Sequence, residues 1–416
     1  MVTLISVPLV IGQLGAEQYG VYVGLAALVN ILLAVDLGLG SALVNEIAEV
    51  VEPERSRDRI AVLVTSAVYP LVVLVAIAAT LLFGFTSIVD VSSLLGSPPG
   101  FDRSELQRLL LLAFVPYLLS LPLGIVVRVR YGLQEGHRSH LFQVAGYALQ
   151  VVVLLVAAAA GAGLSWYVVL LGAGALFGYL FDALALVLSR PWITPRPSRF
   201  VRADARRLLG TGSLFLVLGV SAAIGYQTDA LVISHFLGAS GAATYGASFQ
   251  LIAVCPLALS LFLNPLWPAY REAIASGDET WVRRSFFRSL ATSLPVAAVA
   301  GVLLIAAGPE LIRAWAGPDV VPPTALMVTG ALFVLVAAVS GPMAMMLNGL
   351  GILRSQAVAA TCMAALNIVL SIRWVQQFGI GGPLLATSVT QVCCILLPMA
   401  IVLRARLRAG LLPAPS

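Results

Sequence analysis

Long runs of apolar residues recur along the whole chain, and short charged or Gly/Pro-rich segments separate them. A membrane-spanning helix needs about 20 apolar residues, and most of these runs reach that length. The pattern predicts twelve helices, at 2–14, 19–43, 60–84, 106–127, 141–162, 166–188, 209–236, 244–268, 287–308, 323–347, 357–374 and 383–403. We therefore predict an all-α integral membrane protein.

The composition also indicates a protein that is embedded in a lipid membrane. Hydrophobic residues make up 60% of its 416 residues and charged residues 10%, whereas a soluble protein carries roughly 25% charged residues. The opening MVTLISVPLVIGQ lacks the basic segment and cleavage site of a signal peptide. Because it is also short for a spanning helix, we expect either an upstream start or a clipped first helix.

The arginines indicate how the helices are oriented, because inside loops of membrane proteins are enriched in basic residues. All 24 basic residues are arginine. If the N-terminus is cytoplasmic and the twelve helices alternate, only Arg103, Arg108, Arg313 and Arg373 fall outside. We predict that both termini are cytoplasmic. The positive net charge is then a topology signal, and we expect no nucleic-acid partner.

The chain divides at its midpoint. The segment 189–208, SRPWITPRPSRFVRADARRL, is rich in proline and arginine and reads as a cytoplasmic linker. It separates a six-helix lobe at 1–188 from a second six-helix lobe at 209–404, which a cytoplasmic tail at 405–416 follows. Outside loops are short, so the sequence predicts no extracellular domain.

The two lobes share sequence landmarks. Tyr19-Gly20 and Tyr245-Gly246 are 226 residues apart, and the same offset takes Glu46 to Glu272. The breaks YGLQEGHRSH (131–140) and LNGLGILRSQ (347–356) also correspond. An even number of helices in each half gives both the same orientation, so the sequence predicts a parallel repeat about an axis along the membrane normal.

Four stretches carry a resemblance to a known family. They are LGAEQYGVYVGLAALVNILLAVDLGLGSALVNEIAE (14–49), YGLQEGHRSHLFQVAGYALQ (131–150), DALVISHFLGASGAATYGASFQLI (229–252) with LWPAYREAIASGD (266–278), and LNGLGILRSQAVAATCMAALNIVLSIRWVQQFGIGGPLLATS (347–388). The chain resembles the polysaccharide and lipid-linked oligosaccharide exporters, including O-antigen flippases of lipopolysaccharide synthesis, within the multidrug/oligosaccharidyl-lipid/polysaccharide (MOP) superfamily.

The resemblance implies a MATE-like, V-shaped bundle of two lobes in the bacterial cytoplasmic (inner) membrane. It also implies a flippase that moves a polyprenyl-diphosphate-linked sugar to the outer leaflet by alternating access. Partners would be this lipid-linked oligosaccharide, membrane lipid, and a polysaccharide polymerase with glycosyltransferases. Relatives usually carry a basic tail and a full first helix, from which the start of this sequence departs.

Such a cargo needs hydrogen-bonding groups for its sugars and cationic or dipolar groups for its diphosphate. Carboxylates inside spanning helices are costly and usually functional, which singles out Asp36 and Asp229 as candidates that line a cavity or bind a coupling ion. Tyr226 and Gln227 extend the second cluster. Asp36 has the alternative role of a local helix cap. The cluster around Asp229 has the alternative role of hydrogen bonding between helices. Asp182 lies near a helix end, where we expect it to reach water.

Polar side chains also form a stripe on the fifth helix. Gln143, Tyr147 and Gln150 follow at i, i+4 and i+7, on one helical face. An amide and phenol stripe suits sugar hydroxyls, and it suits helix–helix hydrogen bonds equally well. The single amides Asn264, Asn348 and Asn367 are more typical of packing.

Diphosphate binding would fall to arginines at the cytoplasmic mouth, because none lies near the middle of a predicted helix. The candidates are Arg128, Arg130 and Arg138 near one connection, with Arg271 and Arg354 in the other lobe. The alternative is that these arginines only set the topology. Helix N-termini that face the cavity could share the task.

The sequence offers no catalytic set and no site for a cofactor or metal. The three histidines lack partners typical of catalysis, and the four cysteines lie in apolar runs without ligand spacing, so we expect no disulfide. A P-loop requires lysine, so we expect no ATP hydrolysis. Transport energy would then come from the cargo gradient, the membrane potential, or proton or sodium flow through Asp36 or Asp229.

Three other functions stay open. A cation-coupled multidrug antiporter of the same superfamily would use the intramembrane aspartates to bind organic cations. A lipid II flippase would need a more basic cavity and usually resembles a fourteen-helix chain. A membrane polymerase or ligase would need a larger outside loop than this sequence has.

Overall fold

The computed structural model describes residues 2–33, 39–48, 56–96, 98 and 100–409, and the regular structure of those residues is helical. The chain forms two compact units, Met1–Val220 and Ser221–Ser416. The helices that begin in the first unit are α1 (Val2–Leu33), α2 (Leu39–Ala48), α3 (Arg57–Ile88), α4 (Val91–Leu94), α5 (Arg103–Leu123), α6 (Ile125–Gly132), α7 (Gly136–Ala159), α8 (Leu164–Leu170), α9 (Ala173–Ser189) and α10 (Arg202–Leu263).

Helix α10 continues into the second unit. The helices that follow it are α11 (Leu266–Ala275), α12 (Glu279–Ala316), α13 (Thr324–Gly349), α14 (Leu353–Phe378), α15 (Gly382–Thr390) and α16 (Leu397–Ala409). A π-helical turn, Gln391–Leu396, joins the last two. Short 3-10 turns occur at Pro191–Ile193, Pro197–Arg199, Pro318–Val320 and Gly379–Gly381.

Seven helical stretches of the described residues are long and apolar enough to cross a membrane, or eight if the bent pair α8 and α9 forms one span. Two of the seven, Gly219–Leu263 and Arg354–Arg408, contain 45 and 55 residues. Since about 20 residues suffice for one crossing, each is long enough for two, as the sequence predicts. The predicted helices 2–14 and 19–43 fall on α1 and α2, outside these seven. The chain is thus an all-helical, multi-pass membrane protein.

Two glycines break their helices in the same way. Gly15 interrupts α1 with φ 82° and ψ 167°, and Gly238 interrupts α10 with φ 74° and ψ −178°. This backbone conformation is essentially confined to glycine, since a Cβ would clash with the main chain. Both glycines stand in a Leu-Gly-Ala sequence shortly before a Tyr-Gly pair. The shared landmark therefore encodes the same kink in each unit.

A short helix packs in the same manner in each unit. Helices α2 and α11 both have ten residues. Gly132, at the end of α6, approaches Ile47 of α2, where an added Cβ would lie 2.7 Å from the Ile47 side chain. Gly349, at the end of α13, approaches Tyr270 of α11, where the corresponding distance is 2.6 Å. These glycines let the short helices pack closely in both units.

The turns that follow those glycines also match. The amides of residues 133, 134 and 135 donate to carbonyls four, three and five residues earlier, and the amides of residues 350, 351 and 352 do the same. This is the Schellman pattern of helix ends. Its left-handed position is Gln134 (φ 61°) in the first unit and Gly351 (φ 71°) in the second. The local backbone of the two units thus follows one plan.

The predicted linker is attached to α3 rather than extended. The backbone amide of Val201 donates to Ser66 Oγ over 3.1 Å, and Arg59 forms a two-bond ion pair with Asp204 at 2.6 and 2.9 Å. The guanidinium of Arg57 lies 5.9 Å from the centre of the Trp192 ring. The first compact unit, which ends at Val220, includes this segment.

Close glycine packing predicts a measurable effect on stability. Gly146 of α7 faces α9, and an added Cβ would lie 2.3 Å from the Gly178 nitrogen and 2.5 Å from the Gly174 oxygen. Because these are backbone atoms, Gly146→Ala should force the helices apart and destabilise the protein by about 1–3 kcal/mol. Thermal unfolding in detergent measures this change. Gly84→Ala is the control, since its Cβ meets nothing within 4 Å, and equal stability of the two variants would contradict the prediction.

Candidate functional site

Asp229 lies in α10 with only 1% of its surface exposed. Its carboxylate accepts hydrogen bonds from Thr387 Oγ1 at 2.6 Å, Ser371 Oγ at 3.2 Å and the Tyr245 hydroxyl at 3.4 Å. These donors come from α15, α14 and the part of α10 beyond its kink. Asp229 therefore links its own part of α10 to three other helical segments of the second unit.

Asn367 completes this cluster, which we call the Asp229 network (Asp229, Tyr245, Asn367, Ser371 and Thr387). Its amide nitrogen donates to the Gly225 carbonyl at 3.1 Å and to Thr387 Oγ1 at 2.6 Å, while its amide oxygen lies 2.7 Å from Ser371 Oγ. The single hydroxyl proton of Ser371 can serve either the Asn367 oxygen or the Asp229 carboxylate.

The Asp229 network contains a carboxyl group, and the described residues provide no arginine or histidine partner for it. Its hydrogen-bond partners among those residues are the hydroxyl groups of Thr387, Ser371 and Tyr245. Each hydroxyl oxygen can turn its lone pairs, instead of its proton, toward a small cation. The arrangement can thus hold either a proton on Asp229 or a monovalent cation among its oxygens. No cluster of three or more His, Cys, Asp or Glu that could hold a metal ion occurs in the described parts of the chain.

The first unit contains a contrasting group, which we call the ion-pair cluster (Arg130, Glu135, Arg138, Asp182 and Arg190). Arg130 is 3% exposed and binds Asp182 through Nε and Glu135 through Nη1, the latter at 3.0 Å. Arg190 binds Glu135 at 2.7 Å, and Arg138 approaches the same carboxylate at 3.6 Å. Ser139 Oγ donates to Asp182 at 2.6 Å. Here every carboxylate faces a cation.

This cluster corrects one expectation. Asp182 does not reach water from its helix end, because its side chain is fully buried against Arg130. Burial tends to raise the pKa of Glu135, but its hydrogen bond with Arg190 and the charges of Arg190, Arg138 and Arg130 hold that pKa below its ordinary value. Glu135 is therefore stabilised as an anion, and the charge of Arg130 is used inside the protein.

A cavity of about 340 Å³ opens in the first unit. It brings together two of the predicted site residues, Arg128 and Gln143, with Tyr117, Tyr131 and Tyr179. The Arg128 side chain crosses Gly40, where an added Cβ would lie 2.6 Å from Nε. We call this space the Arg128 cavity. A guanidinium, an amide and phenol rings are groups suited to phosphate oxygens and sugar rings.

The polar stripe of α7 consists of Gln143, Tyr147 and Gln150, for which the sequence allows either sugar binding or contacts between helices. The three side chains differ in what they contact. Gln143 lines the Arg128 cavity. Gln150 is 6% exposed and donates to the Leu170 carbonyl, while the Tyr147 ring packs over Gly174, where an added Cβ would lie 2.4 Å from Cδ1. The latter two side chains thus serve contacts between helices in this structure.

The remaining predicted residues that the structure describes belong to neither cluster and do not line the Arg128 cavity. Asp36 lies outside the described residues. Tyr226 packs edge-on against Phe333 with ring centres 6.3 Å apart, and Gln227 is half-buried. Arg271 and Arg354 are exposed in the second unit.

The sequence does not predict which side chains surround Asp229. It favours a packing role for Asn367, and it does not single out Ser371 or Thr387. The signal available was periodicity, because Asn367 and Ser371 stand at i and i+4 on one helix and therefore face the same neighbour. Short hydroxyl residues are common in spanning helices, so this spacing becomes informative only once a carboxylate is placed opposite it.

Comparisons with known proteins agree with the fold. Residues 1–271 match the model of a family described as polysaccharide biosynthesis protein. No curated protein matches the chain. An inward-facing multidrug resistance transporter of the MATE family, MOP superfamily, superposes with a TM-score of 0.78 at 14% identity, over 98% of this chain and 95% of that one.

Two further structures are similar. Lipid II flippase MurJ in an inward closed conformation has a TM-score of 0.70 at 13% identity, covering 97% of this chain and 85% of its own. A MOP superfamily transporter from Pyrococcus furiosus, reported for the reverse polarity of its binding pocket, has a TM-score of 0.64 at 14% identity, covering 98% and 95%. At such low identities the likeness shows the fold alone, and it confirms the predicted MATE-like helical architecture.

Proposed function

Because this chain belongs to the polysaccharide biosynthesis protein family, we propose that it flips a polyprenyl-diphosphate-linked oligosaccharide from the cytoplasmic to the outer leaflet by alternating access. The observation that carries the proposal is the family match over residues 1–271. Its setting would be the bacterial cytoplasmic membrane, with both termini on the cytoplasmic side, as the arginine distribution suggests. Glycosyltransferases and a polymerase would supply and consume the cargo.

We assign recognition of the cargo head to the Arg128 cavity. Arg128 would contact phosphate oxygens, and Gln143 with the surrounding tyrosines would contact sugar hydroxyls and ring faces. At about 340 Å³ the cavity lies at the low end of the range for ligand sites. It therefore suits the phosphate-proximal sugar rather than a whole oligosaccharide, while the polyprenyl tail stays in the bilayer. Arg130 has a supporting role, because its guanidinium is bound to Asp182 and Glu135.

Gly40→Ala tests the position of Arg128. The new Cβ would lie 2.6 Å from Arg128 Nε and 2.9 Å from Cγ, so the guanidinium must move. We expect Gly40→Ala and Arg128→Gln to reduce export to a similar extent. Each should lose a charge-assisted hydrogen bond to the cargo, which is worth about 1.5–3 kcal/mol. Surface polysaccharide at matched protein levels is the measurement. Gly12→Ala, whose Cβ meets nothing within 4 Å, should export normally, and normal export by Gly40→Ala would remove Arg128 from the site.

We propose the Asp229 network as the place where a coupling cation binds. Asp229 has no cationic partner among the residues that the structure describes, and rotatable hydroxyls surround it, so the network offers oxygen ligands to sodium or a place for a proton. Oxygen sites of this kind, formed where spanning helices are broken, are common in secondary transporters. Loading the network would neutralise Asp229 and change the packing preference of α10, α14 and α15, which is the physical requirement for coupling an ion to a conformational change.

A cation-coupled multidrug antiporter is the second candidate, and the uncompensated carboxylate of Asp229 is the observation that favours it. Such a protein would bind organic cations at an acidic site. The Arg128 cavity argues for an anionic cargo instead. Deletion of the gene separates the two, since one predicts drug sensitivity with intact surface glycans and the other predicts glycan loss.

The direct test is to deplete the protein in its native host and follow the lipid-linked glycan. We expect the glycan to accumulate on the cytoplasmic leaflet while surface polysaccharide falls, and re-expression of the wild-type chain to reverse both changes. Drug sensitivity with normal glycans would favour the antiporter. Arrest of cell-wall synthesis with accumulated lipid II would favour a lipid II flippase, and either result would overturn the proposal.

A further inference from the structure

A π-helical turn interrupts the final spanning segment of the second unit. It covers Gln391–Leu396, between α15 and α16. Such turns are rare and occur frequently at functional sites, because the wider turn disrupts the regular backbone ladder. This one begins at Gln391, four residues after Thr387 of the Asp229 network. Thr387 and Gln391 therefore lie on the same side of the helix, one turn apart.

The Gln391 side chain is buried with one polar atom unused. It is 5% exposed, and its Nε2 donates to Ser340 Oγ of α13 at 2.8 Å. Its Oε1 is a buried oxygen that has no hydrogen-bond partner within the described part of the chain. Exchanging the amide oxygen and nitrogen would leave the same number of atoms unpaired. A buried carbonyl without a partner costs free energy, so a water or an ion is the expected occupant.

Ser340 supplies a second oxygen at the same place. Its hydroxyl proton is donated to the Val336 carbonyl at 2.9 Å, so its oxygen acts as an acceptor toward Gln391. One lone pair of Ser340 Oγ remains. Together, Gln391 Oε1 and Ser340 Oγ offer two neutral oxygens on facing helices. The described residues that hydrogen-bond to these two side chains include no carboxylate.

We propose that Gln391 and Ser340 form a second binding station for a monovalent cation, through which the ion leaves the Asp229 network. The proposal rests on the cation coupling proposed at Asp229. The station lies about 6 Å further along the helix than Thr387, at 1.5 Å per residue, toward the end that carries Arg406 and Arg408. The ion would thus pass from Asp229 toward the arginine-rich side of the membrane.

The different charges of the two places give them different roles. The Asp229 network carries a carboxylate and holds the cation at rest. The station has only neutral oxygens, so it binds the same cation more weakly and briefly, as conduction through several sites requires. The wider turn at Gln391 allows its amide to follow the ion. Loss of Gln391 should therefore slow the passage of the ion and leave its equilibrium binding unchanged.

The test uses the purified full-length chain in proteoliposomes, with radioactive sodium as the probe. Wild type and Gln391→Leu should bind equal amounts of sodium at equilibrium, whereas sodium exchange by Gln391→Leu should be slower by about tenfold. Ser340→Ala should slow exchange in the same direction. Gln377→Leu, an exposed glutamine on α14, is the matched control and should exchange as wild type does. Thermal unfolding confirms that each variant is folded.

The outcomes separate this proposal from the one on which it rests. Exchange by folded Gln391→Leu at the wild-type rate overturns the station and leaves coupling at Asp229 intact. Loss of equilibrium binding in Gln391→Leu also overturns it, because Gln391 would then belong to the resting site. If the wild type binds no sodium and its transport does not depend on pH, both cation coupling at Asp229 and the second station are excluded.

Discussion

Asp229→Asn is expected to remove the dependence of export on a cation gradient and to reduce export by about tenfold or more. The change preserves the shape of the side chain but removes the charge that attracts the cation. In the wild type, Thr387, Ser371 and Tyr245 donate hydrogen bonds to the two carboxylate oxygens. The asparagine replaces one of these oxygens by an amide nitrogen, which cannot accept a hydrogen bond. Flipping of a fluorescent lipid-linked glycan in proteoliposomes, with and without sodium and pH gradients, measures the effect.

The matched control for this variant is Asp319→Asn, since Asp319 is an exposed carboxylate in a 3-10 turn of the same unit. It should transport as the wild type does. Export by Asp229→Asn that stays normal and responds to the gradients would exclude Asp229 as the coupling residue, whatever its part in packing α14 and α15.

Arg130→Met is expected to destabilise the protein by about 3–5 kcal/mol, because it leaves a buried carboxylate without its cation. Asp182 is fully buried, and the structure gives it one further partner, Ser139. Thermal unfolding in detergent, compared with the wild type, measures the loss. Asp182→Leu should have a similar cost, because it leaves Arg130 with only Glu135 as an ionic partner.

The double variant Arg130→Met, Asp182→Leu distinguishes an ion pair from general damage to the core. Replacing both partners by apolar groups removes the unpaired charge, and such replacements are often neutral or stabilising. We expect it to recover most of the stability that either single change loses. Additive losses in the double variant would show that the two side chains stabilise the unit independently. Arg59→Met, which breaks a partly exposed pair with Asp204, should cost at most about 1 kcal/mol.

The sequence predicts the architecture well because lipid imposes simple rules. Apolar runs of spanning length and arginine-rich breaks follow directly from the bilayer thickness and the positive-inside bias. The repeated Leu-Gly-Ala and Tyr-Gly landmarks also have a clear physical meaning in the structure, since Gly15 and Gly238 take the same glycine-only conformation.

The candidate site is predicted less completely, because contacts between helices depend on rotation about each axis. Asp229 is recognisable in the sequence as a carboxylate in an apolar run, but Thr387 lies 158 residues away. Arg130 and Asp182 read as separate charges near helix ends, and only the packing of α6 on α9 shows that they neutralise each other. The role proposed for Gln391 rests on an amide oxygen that no described residue hydrogen-bonds, and no sequence pattern reveals such an oxygen.

The contrast between Asp182 and Asp229 has an electrical consequence. The charge of Asp182 is balanced by Arg130 inside the first unit, so a voltage across the membrane exerts opposing forces on the two partners. Asp229 has no such counter-charge among the described residues, so a cation that joins it would alter the net charge of the second unit by one. Moving one elementary charge through the full field is worth about 2.3 kcal/mol per 100 mV. Cation binding at Asp229 would therefore add a voltage-dependent step located in the second half of the chain, beside the charge that the diphosphate cargo itself carries across the field.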